Sequence, residues 1–152
     1  MTPPGLEFAF ELRVTVAPMV ELGQIPAGVR RVIPITGGAV AGPLIRGRVL
    51  PVGEDWQTVE PGGLTILDAH YVIETDDGAK IEIRNQGIRH ADAAVLEQLA
   101  AGGKVDPGEY YFRAIPRFTV AAKAYQWLRR SIFIATAERL PELVIVSVWR
   151  VL

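Results

Sequence analysis

Leu64-Thr65-Ile66-Leu67-Asp68-Ala69-His70-Tyr71-Val72-Ile73-Glu74-Thr75-Asp76-Asp77-Gly78-Ala79-Lys80-Ile81-Glu82-Ile83-Arg84-Asn85 holds two alternating runs on either side of an Asp-Gly turn. A two-strand turn that matches the natural twist of β-structure needs positive φ, which Gly supplies, so the pattern predicts an antiparallel hairpin of Leu64–Thr75 with Ala79–Asn85. Upstream, Leu6, Phe8, Phe10, Leu12, Val14 and Val16 alternate with Glu7, Glu11, Arg13 and Thr15, which predicts a long half-buried strand over Leu6–Val16. Arg31–Thr36 reads as another strand, with Pro34 marking an edge or a bulge, and Gly37-Gly38 reads as a turn. Leu44–Leu50 follows as a strand closed by Pro51-Val52-Gly53-Glu54. Downstream, Tyr110–Phe118, Gln126–Thr136 and Leu143–Val151 are β-branched or aromatic runs separated by polar or Pro-bearing turns. One helix interrupts them, Asp92–Ala101, with Asp92 as N-cap, Val95, Leu96 and Leu99 at helical spacing, and Gly102-Gly103 as its stop.

About eight strands, one short helix, 15 Gly and 11 Pro in 152 residues point to an all-β chain rather than to a parallel α/β sheet. Closing such a sheet into an antiparallel β-barrel removes both edges and leaves an interior wide enough for side chains or one small ligand. The expectation is therefore a closed barrel forming a single domain over residues 1–152.

Composition narrows the function. There is no Cys and only His70 and His90, which argues against a zinc, iron-sulfur or haem site; no metal or cofactor is expected. Lys+Arg number 16 against 17 Asp+Glu with no basic block, so nucleic acid is not an expected partner. No apolar run reaches the ~18 residues of a membrane span, and Met1-Thr2-Pro3-Pro4-Gly5 has no leader character. A cytoplasmic protein is expected, with a small organic ligand as partner and a homo-oligomer, a dimer first, as the default assembly.

The Gly37–Pro43 segment lacks the Lys-Ser or Lys-Thr and the following helix of a phosphate loop, so it reads as a turn. Ser131 and Ser147 sit inside strands without a glycine-flanked elbow, which disfavours an activated hydroxyl nucleophile. The ionisable row Asp68, His70 and Glu74 shares one face of its strand, and Ala69, Tyr71, Ile73 and Thr75 share the other. Two readings of that row stay open. Either it is the solvated outside of the barrel, or Asp68 and His70 point into a cavity where desolvation tunes a carboxylate for proton transfer.

In Tyr110–Phe118, Tyr111 and Arg113 share a face, an arrangement suited to an anionic or enolate ligand or equally to an Arg packed on a surface ring. The candidate catalytic set is Asp68 as general acid or base, Arg113 as anchor and Tyr111 as donor to an enolate oxygen. Asp55, Trp56, His70, Tyr71, Phe118 and Trp127 complete the candidate ligand-binding set. The chemistry this supports is a cofactor-free isomerisation, hydration or elimination on a small anionic or carbonyl-bearing molecule. The alternatives are a non-catalytic carrier, or an assembly module in which Val144, Val146 and Val148 or Leu6, Phe8 and Phe10 cover a partner barrel.

Ile33-Pro34-Ile35-Thr36-Gly37-Gly38, Gly42-Pro43, Gly47-Arg48-Val49-Leu50-Pro51, Asp55-Trp56, Leu67-Asp68, Tyr71, Asp76-Asp77-Gly78-Ala79 and Tyr110-Tyr111-Phe112-Arg113 resemble domain-of-unknown-function family 3237, and Trp127-Leu128 and Phe133 extend the match over nearly the whole chain. The resemblance implies an antiparallel β-barrel of lipocalin-like or streptavidin-like shape from small bacterial proteins, and it implies no settled activity. Val52, His70 and Arg129 depart from the pattern, where Gly, Arg and Asn are usual. The change at His70 alters the charge beside Asp68.

Overall fold

The Asp76-Asp77-Gly78 turn closes the expected hairpin: Gly78 has φ +90°, and the Thr75 and Ala79 backbones hydrogen-bond across it at 2.8 Å. The computed structural model describes all of residues 1–152. Nine strands follow in order: β1 (Leu6–Val16), β2 (Val20–Ile25), β3 (Gly28–Ala41), β4 (Gly47–Val59), β5 (Thr65–Thr75), β6 (Lys80–His90), β7 (Tyr111–Val120), β8 (Ile132–Arg139) and β9 (Leu143–Val151). All pairings are antiparallel, in the order β1-β9-β8-β7-β6-β5-β4-β3, and β1 also pairs with β3. That last pairing closes an eight-strand barrel, with β2 as one extra strand on β3. The expected all-β closed barrel is the fold.

Closure explains where strand boundaries differ from expectation. Gly37-Gly38 is not a turn between strands, and Pro51–Glu54 does not end one; both lie inside long strands at register shifts, Pro34/Gly38 on β3 and Val49/Gly53 on β4. These shifts face each other, so two neighbouring strands bend together at one corner, as a sheet must in order to close. Gly38 has φ +139°, and a Cβ there would meet the Arg13 carbonyl oxygen at 1.9 Å. On β1 a bulge between Phe8 and Phe10 reverses the alternation. Phe10, Leu12 and Val14 are buried, whereas Leu6 is exposed and Phe8 packs edge-on against Trp149 at 5.3 Å.

Gln126–Arg130 is not strand. Lys123–Arg130 forms a 3-10 helix, held by the Gln126 amide donating to the carbonyls of Val120 and Ala122, and β8 begins at Ile132. The turn carries Leu128 into the barrel end, where it is 2% exposed. Strand β2 was not expected, because none of its residues is fully buried and it exists only by pairing with β3.

The two ends of the barrel differ. At one, Leu128 and the edge-on rings of Phe10, Phe118 and Phe133 fill the interior, with centroids 5.9 and 5.1 Å apart. At the other, helix α1 (Ala93–Ala100) packs Val95, Leu96 and Leu99 against the core. Asp92 precedes this helix without making a side-chain cap, and Gly102 and Gly103 end it by bonding to the carbonyls of Leu99 and Gln98. Ile83 lies wholly buried in the packed part. Ile83→Val should cost about 1 kcal/mol in urea unfolding, the price of one deleted methyl in a core that cannot fully relax.

Candidate ligand cavity

The inward positions of β4 to β6 are set by their pairing. Asp55 lies opposite Ala69, which lies opposite Asn85, and Gln57 lies opposite Leu67. Because side chains alternate across a strand, Asp55, Gln57, Tyr71, Asn85 and Arg89 project to the same side as the core residues Leu67, Ile73, Ile81 and Ile83. With Arg139 from the end of β8 they line a cavity in the open half of the barrel, whose remaining wall is largely apolar, including Val14, Ile35, Leu67, Phe112 and Val146. The space open to the centre of a water-sized sphere is about 60 Å³ in this deep lobe. It is about 410 Å³ in the adjoining mouth between Met19, Arg31 and the α1 residues Leu96 and Leu99. Ile33, Arg89 and Arg139 border both spaces and form the neck between them.

A polar relay runs inward from the mouth. Arg31 Nε donates to Gln57 Oε1 at 2.8 Å, and Gln57 Nε2 donates to Asp55 Oδ2 at 2.7 Å. Asp55 Oδ1 is shielded from solvent and has no hydrogen-bond partner. Burial pushes the Asp55 carboxyl above the usual carboxylate range, against the opposing pull of the Gln57 amide and of the Arg89 and Arg31 guanidinium groups. Burial, reinforced by Asp55, also raises the Tyr71 phenol, so it stays an O–H donor. Arg89 is 7% exposed. Burial together with Arg31 and Arg139 pulls it down to about 10, so it remains charged at neutral pH. No carboxylate approaches Arg31, Arg89 or Arg139 within ion-pair distance; Arg89 Nε and Arg139 Nη1 are buried without partners, as is Asn85 Oδ1.

Of the residues singled out from the sequence, Asp55 and Tyr71 line this cavity. Asp68 and Arg113 do not project into it. Asp68 lies on the outer face, gripped by Arg84 at 3.1 and 2.8 Å, and that guanidinium holds its carboxyl below the ordinary range. His70 is beside it on the same face, 2.6 Å from Glu82. Tyr111 is 52% exposed with the Arg113 guanidinium 5.0 Å above its ring. Trp56 faces outward under Arg30 at 5.4 Å. Phe118 points inward, but into the packed end, and Trp127 sits on the 3-10 helix against Phe133. The physical reason is common to Asp68, His70, Tyr111 and Arg113: barrel curvature turned the more apolar parity of their strands inward, so the other parity became the solvated surface. Trp56 faces out because it pairs with Asp68, while Asp55 and Gln57 take the inward positions of β4.

Asp68→Asn removes only this exposed pair. It should leave the melting temperature within about 2 °C by calorimetry.

Gln57, Asn85, Arg89, Arg139 and Arg31 were missed. Their signal was present as polar residues on an otherwise apolar parity, such as Ile81, Ile83, Asn85, Gly87, Arg89 on β6 and Phe133, Ala135, Ala137, Arg139 on β8. A charge in such a series is rarely left there by chance, because burying it costs free energy.

Among curated proteins, the chain is 42% identical to a UPF0311 protein of Rhodopseudomonas palustris over all of both chains. It is 28% identical to a hydroalkoxylation enzyme of Penicillium herquei over 99% of this chain and 85% of that one. Among solved structures, a conserved protein of unknown function from Rhodopseudomonas palustris superposes with a TM-score of 0.97 at 39% identity, covering both chains fully. An enzyme from Penicillium herquei superposes at 0.75 with 26% identity, over 100% of this chain and 97% of that one. The model of the protein family of unknown function DUF3237 matches residues 4–151, and the chain belongs to that family.

Proposed function

We propose that the cavity binds a small organic molecule and that Asp55 moves a proton on it without a cofactor, in an addition, elimination or isomerisation. The observation that carries this reading is the Asp55 carboxyl, raised by burial, with one oxygen held by Gln57 and the other free in an apolar lobe. A carboxyl shifted toward neutrality is the group that general acid–base chemistry needs at working pH. Tyr71, kept protonated in the same lobe, is placed to donate to a developing oxyanion.

The Penicillium herquei relative, named a hydroalkoxylation enzyme, supports the same class of chemistry. Hydroalkoxylation joins an alcohol O–H across a C=C bond. The acid gives its proton to one carbon, the alcohol oxygen bonds the other, and the hydroxyl proton returns to the carboxylate, so the catalyst is restored and nothing is oxidised. The roles that the sequence pattern suggested for Asp68, Tyr111 and Arg113 pass in this reading to Asp55, Tyr71 and Arg89.

The test is incubation of the protein in D₂O with a panel of hydroxyalkenes and enolisable carbonyl compounds, read by NMR and mass spectrometry. Deuterium at carbon or a new cyclic ether, above the no-protein rate, is expected. A compound that binds and returns unlabelled instead favours a carrier.

A further inference from the structure

We propose that the neck of the cavity is a carboxylate seat formed by Arg89 and Arg139, and that the ligand is a short organic acid whose apolar body enters the deep lobe beside Asp55. This deepens the reading of the cavity above and rests on it.

Two guanidinium groups border the neck, and both carry a buried nitrogen with no partner. Arg89 is 7% exposed, so its charge has lost nearly all its water. A third cation, Arg31, stands at the mouth, whose rim also carries the exposed Glu97 of α1, and the Arg89 guanidinium lies 5.5 Å from the Phe112 ring. The one acid in the interior, Asp55, makes no ion pair with any of them and is bonded to Gln57 instead. A buried guanidinium excess of this kind is a costly arrangement for an empty protein, and an incoming anion relieves it.

The chemistry favours a carboxylate over a phosphate. A guanidinium fork matches the two in-plane oxygens of a carboxylate. A phosphate needs donors on several sides, whereas the lobe inward of the seat is walled largely by apolar side chains. Size agrees. The deep lobe is the smaller space, about 60 Å³ to sphere centres against about 410 Å³ in the mouth, and this limits the part of the ligand that enters it. Arg89 stands four residues nearer the mouth than Asn85, which shares the level of Asp55. An acid held at the neck therefore presents a short carbon chain inward to the Asp55 carboxyl, and anything larger on the molecule extends past Leu96 and Leu99.

Butyrate and butyramide, equal in shape and different in charge, test the seat by NMR titration of the ¹⁵N-labelled protein. Butyrate is saturated and has no C=C bond to add across, so its binding reports the seat and not the reaction. Butyrate should bind at least tenfold more tightly than butyramide and shift the side-chain Nε–H signal of Arg89. Arg89→Gln and Arg139→Gln should each weaken butyrate at least tenfold, while Arg117→Gln on the outer face should not. Arg139, only half-buried, carries the test if the Arg89 variant fails to fold.

Equal affinity for the amide, equal or better competition by inorganic phosphate, undiminished binding in the Arg139→Gln protein or no butyrate-dependent shift would each overturn the seat. Those outcomes leave the proton-transfer reading standing if neutral hydroxyalkenes are still converted. Butyrate binding with no conversion of any panel compound separates the two in the other direction.

Discussion

Asp55→Asn is expected to lower turnover about 10²- to 10⁴-fold, the usual contribution of a positioned acid or base, and to leave the barrel folded. The amide has the shape of the carboxyl and keeps an acceptor for the Gln57 Nε2 bond of 2.7 Å, so the relay from Arg31 survives. What disappears is the acidic proton, since an amide does not ionise at working pH. The same substitution carries a pH signature whose sign follows from burial. Asp55 is raised by desolvation, partly offset by Gln57, Arg89 and Arg31, and the buried Tyr71 beside it is neutral.

The native state therefore binds this proton more tightly than the unfolded chain does. Between the ordinary carboxylate value, about 4, and the raised native one, stability falls as pH rises, because the folded protein must ionise a desolvated group. Below that window the penalty is absent, and above it the penalty is complete. Melting temperature measured against pH should show this slope in the wild type and lose it in Asp55→Asn. Activity that depends on the protonated acid should decline with rising pH through the same raised value. An Asp55→Asn protein with unchanged turnover and an unchanged stability slope would remove Asp55 from the mechanism.

Gly38→Val is expected to be among the most damaging single changes to the fold, costing about 4 kcal/mol or more, a large part of a typical domain's stability. Gly38 pairs with Val14 across the seam between β1 and β3 and with Val49 on β4, so it sits where the barrel is closed. Its φ of +139° is one that side-chain-bearing residues rarely adopt, and a Cβ would fall 1.9 Å from the Arg13 oxygen and 3.2 Å from Val14 Cα, both backbone atoms that cannot step aside. Gly78 makes the contrast. It too has positive φ, +90°, but nothing lies within 4 Å of the place a methyl would occupy there. Gly78→Ala should therefore cost only the conformational penalty, about 1–2 kcal/mol. Chemical denaturation of both variants separates backbone collision from torsional preference.

Local alternation and turn chemistry were enough to read the hairpin of β5 and β6 as far as Asn85, though β6 runs on to His90, strand β9 to the residue, helix α1 and the closed antiparallel class. Each of these rests on a signal within a few neighbouring positions: Asp77-Gly78 for the turn, Val95, Leu96 and Leu99 for the helix. Strand β2 carried no such signal, since its residues bury nothing and depend on an edge of β3 far along the chain. The bends at Gly38 and Gly53 read as chain breaks for a related reason. A glycine that ends a strand and one that bends it look alike until the sheet has to close.

The site shows the same division more sharply. Alternation within Leu67–Thr75 sorts Asp68 and His70 from Ala69 and Tyr71, so there the sequence alone determined which residues travel together on a face, whereas across the bulges of β1 and β4 it did not. It is silent on which face is concave. The two carboxylates differ by one step of parity across neighbouring strands, where Trp56 pairs with Asp68 and Asp55 with Ala69. Only closure, through the β1–β3 pairing and its bulges, decided that Asp68 meets Arg84 in water and Asp55 meets Gln57 in the interior. Arg89 and Arg139 come from strands separated by helix α1, strand β7 and two 3-10 segments, and their shared neck exists only because curvature is a property of the whole sheet and not of any strand in it.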